Sequence, residues 1–73
     1  GYWVYGDVAV RDKAGSPVAD AMVSVRWRTP NGRNVLQTAQ TDARGIATFG
    51  VQSVAGTYRL YISDVAKTGY EFD

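Results

Sequence analysis

The chain has 73 residues, 45% hydrophobic and 12% aromatic, and its eight Lys/Arg against seven Asp/Glu leave a net charge of +1. It contains neither histidine nor cysteine, which removes disulfides, thiolate and imidazole metal sites, and Ser-His-Asp or Cys-His nucleophilic catalysis together. The basic excess of a nucleic-acid binder is missing, and no apolar run approaches the roughly 20 residues of a helical membrane span.

One domain is expected over residues 1–73. At this size folding hides only about 60% of the surface of the extended chain, so stability rests on close packing in which large aromatic side chains count heavily. Nothing near Gly1-Tyr2 has the form of a signal peptide, and the chain reads as a processed module whose targeting sequence lies elsewhere.

Residues 2–11 alternate. Tyr2, Val4, Gly6, Val8 and Val10 share one face, the expected core face, and Trp3, Tyr5, Asp7, Ala9 and Arg11 share the other. Asp12-Lys13-Ala14-Gly15 follows as a turn: the Asp carboxylate can accept an N–H two residues on, and Gly tolerates positive φ. Pro17 cannot donate to a ladder, which places residues 16–18 in a connection or on an edge. The cleanest alternation comes next, with Ala21, Val23, Val25 and Trp27 inward and Met22, Ser24, Arg26 and Arg28 outward. Thr29-Pro30-Asn31-Gly32-Arg33-Asn34 combines a Pro that presets negative φ with an Asn-Gly suited to positive φ, and predicts a hairpin.

Residues 35–41 form a more polar strand suited to a sheet edge. Asp42-Ala43-Arg44-Gly45 repeats the first Asp/Gly turn, and residues 46–51 follow with Ala47, Phe49 and Val51 on one face. After a connector at 52–56, residues 57–65 put Tyr58, Leu60 and Ile62 inward and Thr57, Arg59, Tyr61 and Ser63 outward. Lys67-Thr68-Gly69 turns the chain into a short closing strand at residues 70–73. Six or seven strands, spaced by about 8–12 residues without helical periodicity, predict an all-β antiparallel sandwich. Its expected core is Val8, Val10, Val23, Val25, Trp27, Ala47, Phe49, Tyr58, Leu60 and Ile62.

The run Val8-Ala9-Val10-Arg11-Asp12, Gly15-x-Pro17-Val18, Ala21-x-Val23-x-Val25-x-Trp27, then Thr41-Asp42-x-x-Gly45-x-Ala47-x-Phe49, Gly56-Thr57-Tyr58-x-Leu60-x-Ile62 and Gly69-Tyr70 resembles bacterial and archaeal extracellular Ig-like and prealbumin-like modules. Among these the carboxypeptidase-regulatory-like domains and the modules appended to secreted proteases and surface proteins are the nearest in look. The resemblance spans almost the whole chain and implies a small Ig-like or prealbumin-like sandwich. It also implies a non-catalytic accessory, spacer or docking domain of a secreted or cell-surface protein, monomeric, with neighbouring domains of the parent chain as partners. Some related modules carry a Lys–Asn isopeptide crosslink. It is not expected here, because Lys13 and Lys67 fall in turns and Asn31 and Asn34 in or beside a hairpin loop.

No catalytic residue set, cofactor, metal site or membrane-inserting segment is expected. The candidate binding residues are Trp3, Tyr5, Tyr61, Arg26 and Arg28. Outward aromatic rings would form a platform for sugar rings, making a carbohydrate-binding module the alternative function; the competing explanation is a face covered by a loop or a neighbouring domain. Arg26, Arg28 and Arg33, with Arg59 adjoining, would grip an acidic polysaccharide or a protein's carboxylates. More economically, they are strand charges that discourage edge-to-edge association. Asp12 and Asp42 each stand as the one acid of a turn, which suits an Asx-turn far better than a calcium loop needing six to eight oxygens.

Overall fold

The computed structural model describes residues 2–70. The period-two segments become five strands: β1 (Tyr2–Ala9), β2 (Met22–Arg28), β3 (Asn34–Gln40), β4 (Ile46–Ser53) and β5 (Arg59–Ala66). They form two antiparallel sheets, β1-β4 and β3-β2-β5, that bury a common core. The central strand β2 is paired along both edges, which is where a segment with strict alternation belongs. The polar β3 lies at an edge, as its weak pattern requires.

Among the described residues the strands number five, rather than the expected six or seven. Residues 16–18 contribute only an isolated bridge, Arg11 to Pro17, because the proline has no N–H with which to extend a ladder. Tyr70 lies outside any strand, and the rest of the expected closing strand, residues 71–73, lies outside the described residues.

Seven of the expected core residues are buried: Val8, Val10, Val23, Val25, Trp27, Ala47 and Phe49. Tyr58 and Leu60 pack against them partly buried. Ile62 is the exception, at 57% exposure. It stands opposite Val25, but Ser24 stands opposite Asp64, so Ser63 is an extra residue forming a bulge. β5 is the outer strand of its sheet and the facing sheet has only two strands. Ile62 is therefore left beside an open cleft bordered by Val8, Val10 and Val65. The bulge also reverses the phase of β5, so that Val65 turns inward opposite Val23.

The core further includes Val18, which sits in an irregular connection where alternation is silent. Its N–H donates to the Val10 carbonyl at 2.9 Å, fixing it over the core without a strand. Thr41 is buried too, its hydroxyl donating to the Val18 carbonyl (2.7 Å) and accepting the Ala21 N–H (2.9 Å). That one side chain satisfies backbone groups in the loop before β2, where the sheet ladder supplies no partner.

Candidate functional site: an aromatic face and an arginine face

Trp3 and Tyr5 are two residues apart on β1, so alternation sends both rings to the outer face of the two-stranded sheet. Their centroids are 6.1 Å apart and their planes differ by 12°. They remain 58% and 68% exposed. Tyr5 faces Gly50 across the ladder, and a Cβ at Gly50 would stand only 3.0 Å from the Tyr5 ring. The missing side chain leaves room for that ring over β4, where it stands in a near-parallel stack with Trp3. The result is an exposed aromatic pair with the tyrosine hydroxyl and indole N–H as polar handles.

Tyr61 does not join them. It lies on β5 opposite Arg26, on the outer face of the three-stranded sheet, so the two sheets, roughly 10 Å apart, and the side chains beyond them separate the two groups. The Arg26 guanidinium carbon sits 4.6 Å from the Tyr61 ring centroid, a cation–π contact that covers one ring face. Tyr61 is thus a support for Arg26 rather than a free stacking ring. Arg26 is further held by the Asn34 side-chain oxygen, which accepts from its Nη1 at 3.3 Å.

Arg28 follows on the same face of β2, and Arg59 stands directly opposite it on β5. Arg26, Arg28, Arg59 and Tyr61 border a shallow depression of about 640 Å³ together with Thr57 and Pro30. Among the described residues the ion pair present is Arg44 with Asp42 at 3.6 Å, and none of the three arginines on this face has a carboxylate within reach. Arg59 opposite Arg28 is legible in the sequence only once the β2–β5 register is known.

Both Asp/Gly turns are Asx-turns of the same design. Asp12 Oδ1 accepts the N–H groups of Ala14 and Ser16, each at 2.9 Å, and Asp42 Oδ1 accepts those of Arg44 (2.8 Å) and Ile46 (3.0 Å). These bonds hold the Asp42 carboxyl below its ordinary range. The Ile46 N–H contributes most, desolvation opposes it, and the Arg44 N–H and guanidinium add to the lowering. Among the described residues no three His, Cys, Asp or Glu side chains converge in a way that could hold a metal ion. The Lys67 ammonium donates to the Ala19 carbonyl at 2.5 Å and lies over the Tyr70 ring.

Sequence reasoning missed Gln37 and Leu36. Gln37 points inward from β3, accepts the Trp27 indole N–H at 2.9 Å and donates to the Gly50 carbonyl at 2.6 Å. It therefore ties the core tryptophan to β4, the strand paired with the one that carries the aromatic pair. Leu36 lies on the arginine face opposite Arg26, 75% exposed. In the sequence both look like unremarkable members of a mixed edge strand.

Comparison of the chain with models of protein families, with curated proteins and with solved structures finds no match in any of the three.

Proposed function

We propose that this chain is a non-catalytic accessory module of a secreted or cell-surface protein, an Ig-like or prealbumin-like sandwich that acts by docking rather than by chemistry. The observation that carries the reading is the Trp3–Tyr5 pair: two large rings stacked near-parallel and open to solvent on a sheet whose core does not use them. Exposed apolar surface of that kind marks a contact site. The rings sit on strands rather than on a loop, so their geometry is set before any partner arrives.

A second reading, a carbohydrate-binding module, is favoured by the exposure of both rings, because an open aromatic ring face matches the apolar face of a sugar ring. Titration of the chain with a panel of soluble and insoluble glycans, followed by Trp3 fluorescence and the Trp3 indole NMR signal, separates the two. A saturable response that disappears in Trp3→Ala supports glycan binding. Silence across the panel retires it and leaves docking to a protein surface, for which Trp3→Ala should weaken association with the neighbouring domain. Hydrolytic turnover by the isolated chain, abolished by a point substitution, would overturn both.

A further inference from the structure

We propose that the outer face of the three-stranded sheet is a second, separate binding site, for an acidic polysaccharide, built from Arg26, Arg28 and Arg59.

Like charges placed directly opposite one another across a ladder are unfavourable, and Arg28 and Arg59 occupy such a pair. Arg26 stands two residues away on the same face, within about 7 Å along the strand. The nearest acid on that face of β5 is Asp64. It stands opposite Ser24, four residues from Arg28 and so about 13 Å along β2. Among the described residues no carboxylate is paired with Arg28 or Arg59 to offset the repulsion. An anion lying across the pair removes it.

The arrangement is also partly set in advance. Arg26 is stacked on Tyr61 and bonded to Asn34, which reduces the rotamer entropy lost when its guanidinium engages a ligand. The planar guanidinium groups suit carboxylate or sulfate oxygens two at a time.

Three features favour a polysaccharide over other polyanions. The site is an open sheet face, whereas extended peptides characteristically add to sheet edges, which this fold offers elsewhere. A net charge of +1 is too small for the long-range field that nucleic-acid binding relies on. Asn34, Thr38, Ser24 and Thr57 supply hydroxyl and amide groups beside the arginines, and exposed Leu36 supplies an apolar contact, as an uncharged polyol backbone between acidic groups requires.

The test measures binding of the 73-residue chain to polygalacturonate and to dextran sulfate, with uncharged dextran and poly-glutamate as comparison polymers. The two acidic glycans distinguish carboxylate from sulfate recognition. Binding to at least one should weaken as salt rises and fall by at least about tenfold in Arg28→Gln/Arg59→Gln. Arg11→Gln/Lys13→Gln removes the same charge elsewhere and should cost less than about twofold. Trp3→Ala should leave this binding unchanged, so failure of the aromatic reading and failure of this one are distinguishable. The proposal is overturned by an absence of binding to both acidic glycans at low salt. It is equally overturned by losses of similar size in the two double variants, or by poly-glutamate binding as tightly with the same arginine dependence.

Discussion

Gly15 and Gly45 occupy the same position in two turns of the same design, with φ of +86° and +76°. Their surroundings differ. A Cβ at Gly15 meets nothing within 4 Å, whereas one at Gly45 would fall 2.6 Å from the Val10 carbonyl oxygen and 3.0 Å from Pro17. Gly15→Ala should therefore show only the intrinsic cost of left-handed backbone, about 1–2 kcal/mol. Gly45→Ala adds the displacement of a backbone bond, because the Val10 N–H donates to the Gly45 carbonyl at 2.8 Å, and should lose more than about 3 kcal/mol. Denaturant melts of the two variants check this, and equal losses would show that local backbone preference alone is at work. The acid of the second turn makes its own prediction. Asp42 has a folded-state pKa below its unfolded value of 3.8, so its contribution to stability is present above that value and lost as pH falls through the folded one. In an NMR titration the Arg44 and Ile46 amide signals should follow Asp42 with a midpoint below 3.8. In Asp42→Asn that pH dependence should vanish.

Along a single strand, position in the alternation decides little until the facing layer is known. Val25 and Ile62 are cross-strand partners on the same side of their sheet, yet they are 1% and 57% exposed. Val25→Ala should cost about 2 kcal/mol, by lost transfer energy and the cavity left behind, and Ile62→Ala no more than about 0.5 kcal/mol. Comparable losses would mean that Ile62 is covered in solution. This pair also shows what the sequence could and could not reveal. The inward faces of β1, β2 and β4 were readable because a strand buried on one side writes its burial as a period of two. The Trp3–Tyr5 pair was readable for the same reason, being two residues apart on one strand. The bulge at Ser63 was not, since a serine there is unexceptional with or without an extra residue. The cluster of Arg26, Arg28 and Arg59 depends on a register between segments some thirty residues apart, and Val18 is buried by a loop path that leaves no periodic trace. Local pattern carries faces. Pairing and coverage arise between segments and have no local signature.

In the whole molecule, the two sheets close on each other along β3 and β4, and Gln37 is the polar link on that side, bridging Trp27 of β2 to the Gly50 carbonyl of β4. The opposite side, between β1 and β5, is the open cleft beside Ile62. This asymmetry makes Gln37 more important than its place in a polar edge strand suggests. Gln37→Met fills nearly the same space but leaves the buried indole N–H and the Gly50 carbonyl without these partners, each worth about 1–3 kcal/mol if no water replaces them. For a domain of this size each kcal/mol lowers Tm by about 4–8 °C, so the variant should melt about 8 °C or more below the parent chain. Hydrogen exchange distinguishes loss of this link from general loosening. Amides of β2, paired on both sides, should exchange only on global unfolding, in the variant as in the parent. Exchange in β4 should accelerate beyond what the lower global stability explains, because its free edge is where the Gln37 amide attaches. Trp3 and Tyr5 ride on the same two-stranded sheet, and Gly50 lies beneath Tyr5 while its carbonyl holds Gln37. The variant should therefore also disturb the ring stacking, read as a change in the Trp3 indole signal. An unchanged Trp3 signal together with uniform acceleration across all five strands would show that Gln37 serves the core alone and has no part in positioning the aromatic face.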